Sequence, residues 1–335
     1  MESSSKRKRI GINGFGRIGR ALAWILLQDK RFEVAAINDV AAPEIMAHLY
    51  RFDSIHGRRA EQSDFAADRL IIDGKPISYS RHLQPKDISW DVHDVQFVVE
   101  CTGQFKTRTS LQEHLKPGVQ RVLLSVPPED DSIPTLVMGI NEHMLSPEDR
   151  IISNASCTTN NAAPMIQLID ELCGIESCYI TTVHSYTGDQ RLHDSPHHDL
   201  RRSRGALQSI IPTTTGAAKA LTRVFPHLHD KMGGCGFRVP VPDGSLTDIT
   251  CNVRQVHSIE VINAAFREAA ASRWPGILTY TEDPIVSSDV IGESVSCLFD
   301  AKLTSVIGQM VKVVGWYDNE MGYSHRLRDV LLKMA

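Results

Sequence analysis

The sequence predicts a two-domain α/β protein, a mostly parallel, doubly wound sheet followed by a domain built on a mainly antiparallel sheet. Three observations predict it. Strand-like and helical segments alternate through the first half. The signature Gly14-Phe15-Gly16-Arg17-Ile18-Gly19 sits between the first strand and the first helix. Near Ser153 the pattern changes to longer strands with few intervening helices.

Arg9 to Asn13 is a short apolar strand, Arg17 to Leu27 has helical spacing, and Phe32 to Asn38 is strand-like again. A helix is expected at Ala42 to Arg51, then a hairpin over Leu70 to Ser80 turning at Asp73-Gly74. Val95 to Cys101 and Val122 to Val126 are unbroken β-rich runs, the mark of strands buried on both faces. After the glycine signature this alternation reads as a Rossmann-type sheet.

Beyond Ser153 a helix is expected from Ala162 to Leu172, then strands at Cys178 to His184, Ile249 to Val256, Ile291 to Phe299 and Val311 to Trp316. Glu260 to Ser272 reads as a covering helix, and Tyr323 to Met334 as a terminal helix that packs back on the first domain. The expected division is a nucleotide-binding domain over 1–153, completed by 319–335, and an α+β catalytic domain over 154–318. No internal repeat appears.

A net charge of −4 excludes the basic footprint of a nucleic-acid binder. Seven cysteines without paired spacing fit a reducing compartment better than a disulfide framework, and no CxxC or His/Cys cluster suggests a metal. Lys6-Arg7-Lys8-Arg9 reads as a solvated arm. Arg17 and Arg20 break the apolar run that follows, which argues against a signal or membrane segment. A cytoplasmic protein is expected.

A lone G-x-G-x-x-G is a weak signal. Here a strand precedes it, a helix follows it, and Asp39 closes the second strand 20 residues beyond Gly19. That carboxylate is placed to accept ribose hydroxyls, while the glycines let backbone approach a pyrophosphate at the helix N-terminus. A dinucleotide is the expected ligand.

Asn154-Ala155-Ser156-Cys157-Thr158-Thr159-Asn160 sets one cysteine just ahead of a long apolar-periodic helix. A helix N-terminus favours a thiolate through its dipole and its unpaired N–H groups, and the same groups stabilise an oxyanion. The plain alternative is a buried structural cysteine, and for His184, which closes a β-rich run, a satisfied core histidine.

With these residues in hand the chain resembles the glyceraldehyde-3-phosphate dehydrogenase family from about Arg9 to its end. The resemblance rests on Ile12 to Arg20, Glu100-Cys101-Thr102-Gly103, Ser156 to Asn160 and His184-Ser185-Tyr186-Thr187. It continues through Thr214 to Lys219, Phe237-Arg238-Val239-Pro240 and Trp316 to Glu320. The resemblance implies an NAD-dependent, phosphorylating aldehyde dehydrogenase with Cys157 as nucleophile and His184 as its proton partner. It implies cofactor contacts at Gly14, Gly16, Arg17, Ile18, Gly19, Asp39, Thr102, Ser125, Asn319 and Tyr323. For the aldehyde phosphate it implies Thr187, Arg202 and Arg238, and for inorganic phosphate Ser156, Thr158, Thr215 and Gly216. The stretch 184–204, with His193, His197 and His198, then reads as an inter-subunit loop of a homotetramer and not as a metal site.

Some positions depart from the family pattern. Asn161 stands where many members carry a second cysteine, and Leu83 near a usual adenine-facing arginine. Residues 126–131 are more acidic than usual, and Pro242 to Ser245 replaces a commoner Pro-Asn stretch. Gly188 to Leu192 resembles relatives that include NADP users, whereas Asp39 and Pro196 favour NAD. The nearest alternative is erythrose-4-phosphate dehydrogenase, against which Thr187 and Thr215-Gly216 speak. Intact Cys157, His184 and Asn319 speak against a non-catalytic paralogue.

Overall fold

The computed structural model describes residues 7–334; the N-terminal part of the expected arm, 1–6, lies outside the described residues. The chain forms two compact units. One holds the chain up to Leu136, Glu142–Ala155 and the segment from Ser324; the other holds Val137–Asn141 and Ser156–Tyr323.

The first unit runs β1 (Lys8–Asn13), α1 (Arg17–Gln28), β2 (Phe32–Asn38), α2 (Pro43–Arg51) and a small hairpin of β3 (Phe52–Asp53) with β4 (Gly57–Arg58). It continues with β5 (Ser63–Ala66), β6 (Arg69–Ile72), β7 (Lys75–Ser80), β8 (Phe97–Glu100), α3 (Arg108–Gln112), β9 (Arg121–Leu124) and β10 (Ile151–Ser153). The sheet order is β10-β9-β8-β1-β2-β7-β6-β5, parallel from β10 to β7 and antiparallel beyond. Ile10, Ile12, Val98, Val99, Val122 and Leu123 are fully buried, which is why these strands read as continuous apolar runs. Asp73 and Gly74 both have positive φ, the backbone a two-residue hairpin loop needs to match strand twist. From β1 the chain winds to β2 on one side and β8 on the other. The C-terminal ends of these strands therefore border a crevice, the place where such sheets take ligands.

The second unit begins with α4 (Cys157–Cys173) and β11 (Ile175–Ser185), followed by β12 (Ile211–Thr213), α5 (Ala217–Val224), β13 (Met232–Val239) and β14 (Ser245–Val253). Then come α6 (Ile259–Glu268), β15 (Leu278–Thr281), β16 (Cys297–Asp300), β17 (Ser305–Ile307), β18 (Met310–Tyr317) and α7 (Met321–Met334), which passes into the first unit at Ser324. The sheet order is β12-β13-β11-β14-β18-β16-β15, with β17 also paired to β18. Its pairings are mostly antiparallel; β11 with β13 and β15 with β16 are parallel. Ala162, Met165, Ile166 and Ile169 of α4 pack on Ile180, Ile249, Cys251 and Val313, and Phe266 of α6 stacks on Phe299 at 3.8 Å.

The expected strand over 291–299 shortens to β16. Gly292 takes a φ of +94° and donates its N–H to Asp318 at 2.8 Å, so the residues before Cys297 form a pinned loop. The expected helix over 260–272 widens after Glu268 into a π turn, which ends where the buried indole of Trp274 donates to the Gly139 carbonyl. Among the described residues no helix is long and apolar enough to cross a membrane.

Candidate active site

The crevice of the first unit is a groove of about 480 Å³, lined by Asn13, Gly14, Gly16, Asp39, Thr102 and Leu83 among others. Gly14 has φ +91°, and a Cβ there would lie 2.7 Å from the Thr102 nitrogen; a Cβ on Gly19 would lie 2.1 Å from the Gly14 carbonyl oxygen. Both glycines are therefore required by packing. Gly16 is different, since a Cβ there would meet nothing within 4 Å. Its open backbone, at the N-cap of α1, leaves the room a pyrophosphate needs beside the helix N–H groups. Asp39 tightens the same loop: one carboxylate oxygen accepts the Phe15 N–H at 2.7 Å and the other the Ala41 N–H at 2.9 Å. These residues fit a dinucleotide.

The floor of the groove is a polar network at the strand ends. Buried Glu100 accepts from Asn13 at 2.6 Å, from the Thr102 N–H at 2.7 Å and from the Thr102 hydroxyl, and lies 3.0 Å from the His114 ring. Asn38 donates to Asn13 and accepts from Ser80 and the His82 N–H. Asn13, Asn38 and His82 were not singled out in the sequence. Polar residues closing apolar strands were the available signal.

The remaining expected cofactor residues lie on several elements. The Arg17 guanidinium forms an ion pair with Asp53 at 2.9 Å and lies 3.3 Å from His56, and Arg17 and Ile18 are the first two residues of α1. Ser125 is buried at the end of β9, where its N–H donates to the Glu100 carbonyl. Leu83 is exposed at the rim. Asn319 and Tyr323 belong to the second unit.

In the second unit Cys157 is the first residue of α4. Ser156 caps the helix, its hydroxyl accepting the Thr159 N–H at 3.1 Å. Alternation along β11 puts Ile180, Thr182 and His184 on one face, the face on which α4 packs. The result is a Cys157 Sγ to His184 Nε2 distance of 3.5 Å. Parallel register sets Arg238 of β13 directly beside His184, and its Nη1 lies 2.6 Å from His184 Nδ1. The Tyr317 ring stands edge-on to His184, and its hydroxyl bonds those of Thr158 and Thr182.

Burial dominates the electrostatics here. It pushes the Cys157 thiol up to about 11, although Arg238 and the N–H and hydroxyl of Thr158 pull it down. Burial, and then the Arg238 charge, hold His184 down at about 3. Burial therefore works against the thiolate that the helix dipole favours, and against an imidazolium at His184.

Asn319 is held by design of its neighbours: the hydroxyls of Ser185 and Ser245 donate to its amide oxygen at 2.8 and 2.7 Å, which leaves its NH2 as the end that can serve a ligand. Arg202 is anchored by Asp189 at 2.7 Å and by the Thr213 hydroxyl. Thr187 starts the loop that carries Arg202, its N–H donating to Gln190. Thr215 and Gly216 form the start of α5, where the Thr215 hydroxyl accepts the Ala217 N–H; α5 packs on α4. Asn161, fully buried, donates to the carbonyls of Ser296 and Trp316 and so braces the sheet against α4.

Two family models match this chain. The glyceraldehyde 3-phosphate dehydrogenase NAD binding domain covers residues 8–108 and the C-terminal domain of the same family residues 156–319. Glyceraldehyde-3-phosphate dehydrogenase 2 of Streptomyces avermitilis is 48% identical over 96% of this chain and 97% of its own. The Geobacillus stearothermophilus enzyme is 45% identical over 98% of both chains, and that of Thermotoga maritima 47% over 97% of this chain and 99% of its own.

Proposed function

The chain belongs to the glyceraldehyde-3-phosphate dehydrogenase family, and we propose how its own residues carry that NAD-dependent, phosphorylating oxidation. The observation that carries the reading is Cys157 Sγ at 3.5 Å from His184 Nε2, at the start of α4. His184 takes the thiol proton and the sulfur adds to the aldehyde carbon, giving a hemithioacetal. The helix N–H groups steady the oxyanion that forms, and the His184 imidazolium returns its proton to that oxygen, which restores the neutral ring. When bound, NAD supplies the hydride acceptor, and His184 removes the hydroxyl proton as the thioester forms. Inorganic phosphate then attacks the thioester carbonyl, the Cys157 thiolate leaves, and the acyl phosphate departs.

Arg238 and Arg202, with Thr187, are the proposed anchors of the substrate phosphate; a guanidinium fork matches phosphate geometry. Ser156, Thr158, Thr215 and Gly216 are the proposed site of the attacking phosphate, at the starts of α4 and α5. Thr158 would act there through an N–H or through a hydroxyl already bonded to Tyr317. Gly14, Gly16, the start of α1, Asp39 and Thr102 are the proposed cofactor contacts, Asn319 the holder of the carboxamide, and Ser125 and Tyr323 supporting residues.

The loop from Tyr186 to Ile210 leaves Leu192, Leu200, Leu207 and Ile210 exposed, which supports a homotetramer in which a second copy covers them. Following NADH formation with glyceraldehyde 3-phosphate, with and without inorganic phosphate, tests the activity. Turnover independent of phosphate, or a preference for erythrose 4-phosphate, would assign the sister reaction instead.

A further inference from the structure

Cys178 and Cys251 stand directly opposite each other in the antiparallel pairing of β11 with β14. The Cys178 N–H points away from β14 and donates to the Lys231 carbonyl just ahead of β13. On β14 the Val253 N–H points the other way, to the Gln309 carbonyl beside β18. Cys251 lies two residues earlier on the same strand and shares that orientation. The two cysteines are therefore a non-hydrogen-bonded pair, the position at which Cα atoms stand about 4.5 Å apart and side chains lie closest. A disulfide spans Cα atoms roughly 4.4–6.8 Å apart, so the strand pairing already holds the two residues within reach. Among the described residues no other strand pairing sets two cysteines opposite one another.

We propose that Cys178 and Cys251 are a reversible dithiol site, which hydrogen peroxide closes into a disulfide between β11 and β14. The Cys178 sulfur attacks one peroxide oxygen, the O–O bond breaks, and water leaves with the thiol proton, giving a sulfenic acid at Cys178. The Cys251 sulfur then attacks the Cys178 sulfur, the S–O bond breaks, and the hydroxyl leaves with the Cys251 proton as a second water. Two thiols and one peroxide thus become one disulfide and two waters, the thiols supplying the two electrons that reduce the peroxide. A small dithiol reductant reverses the bond by exchange.

The surroundings assign a part to each sulfur. Both side chains lie in the core under α4, where Cys178 is 6% exposed and Cys251 fully buried, so Cys178 is the sulfur that a small peroxide reaches first. The Cys251 thiol donates a hydrogen bond to the Cys178 sulfur. That bond holds the Cys178 thiol below its ordinary value although burial and Asp170 push it up, and it holds Cys251 well above. Cys173, the last residue of α4, acts on Cys251 and is the rival partner. The bridge would clamp β11, which carries His184, to β14, which carries Ser245. It would sit roughly 20 Å from His184 along β11 at the rise of an extended strand, clear of the chemistry at Cys157.

The test exposes the full-length, folded protein to hydrogen peroxide, blocks the remaining thiols with N-ethylmaleimide and maps the unreduced digest by mass spectrometry. Wild type is run beside Cys157→Ser, in which the nucleophile no longer consumes oxidant. In both, a linked pair of peptides carrying Cys178 and Cys251 is expected, lighter by two hydrogens than the separate peptides and lost after dithiothreitol. The bridge closes a long loop, so the oxidised Cys157→Ser protein should melt several degrees higher and return to its starting value on reduction. Cys251→Ala and Cys178→Ala should each lose both the link and the shift. The mapping in wild type needs no change in the core, so it decides the matter even if those variants do not fold. Recovery of both cysteines as free thiols, or of both as sulfinic or sulfonic acids, overturns the proposal. A link from Cys251 to Cys173 overturns the pairing, and a link that forms only in urea shows that the folded site is closed to peroxide and overturns it too.

Discussion

At the scale of single residues, reactivity here is decided by desolvation. A cysteine starting a helix suggests a thiolate, yet burial pushes Cys157 up and His184 down, against the charges that the dipole favours. Cys157→Ala is expected to abolish NADH formation while leaving NAD binding intact, since it removes the atom on which the intermediate forms. Residual oxidation near the wild-type rate would reassign the nucleophile. His184→Gln should lower kcat by roughly 10²–10⁴, the usual worth of a positioned acid–base group. The same variant reports on pH. The His184 pKa is about 3 in the folded protein against 6.5 for a free histidine, so between those values the unfolded chain binds the extra proton. The contribution of the neutral ring is therefore complete above pH 6.5 and is lost as pH falls toward 3. Between pH 7 and 5 the wild type should lose roughly 2 kcal/mol more stability than His184→Gln, read by urea denaturation. Parallel losses in both proteins would mean that His184 is more readily protonated than its burial implies.

At the scale of elements, the glycine turn separates packing from ligand binding. Gly14→Ala forces a Cβ to 2.7 Å from the Thr102 nitrogen at a φ of +91°, and is expected to unfold the turn and lower the melting temperature. Gly16→Ala meets no neighbour and keeps an ordinary φ of −68°, so the fold should tolerate it while NAD affinity drops. Tryptophan quenching against NAD measures both, and wild-type affinity in Gly16→Ala would show that the pyrophosphate lies elsewhere. Asp39 has a double role at the same turn. It holds the Phe15 N–H, and its proposed second role is to oppose a 2′-phosphate by its charge. Asp39→Ala should narrow the preference for NAD over NADP in kcat/KM and also weaken binding of both. A wild type that prefers NADP would show that the loop from Gly188 outweighs Asp39.

At the scale of the whole molecule, the 186–210 loop exposes several large apolar side chains. Within that loop the polar groups serve one another: Arg202 with Asp189, Arg204 with Asp194, and the Arg191 guanidinium with the Pro196 carbonyl. A loop so internally bonded holds its shape and presents Leu192, Leu200 and Leu207 outward. Light scattering at micromolar concentration is expected to give four times the chain mass of 37.2 kDa. A monomer would leave those leucines without a role in assembly.

The sequence by itself determined the family, the class of each sheet and the kind of element in which each candidate residue sits. Hydrophobic periodicity, the glycine spacing and the isolated Cys157 block are local patterns, and local patterns survive without coordinates. Lengths were less legible where a distant partner intervenes, as when Asp318 pins Gly292 and shortens β16. The state of the site was decided only by tertiary structure. The register of β11 with β13 sets Arg238 against His184, two seryl hydroxyls from β11 and β14 turn the Asn319 amide, and burial opposes charge on the Cys157 pair. Each of these depends on groups from strands far apart in sequence and on water excluded between them, and neither is written in any one stretch of the chain.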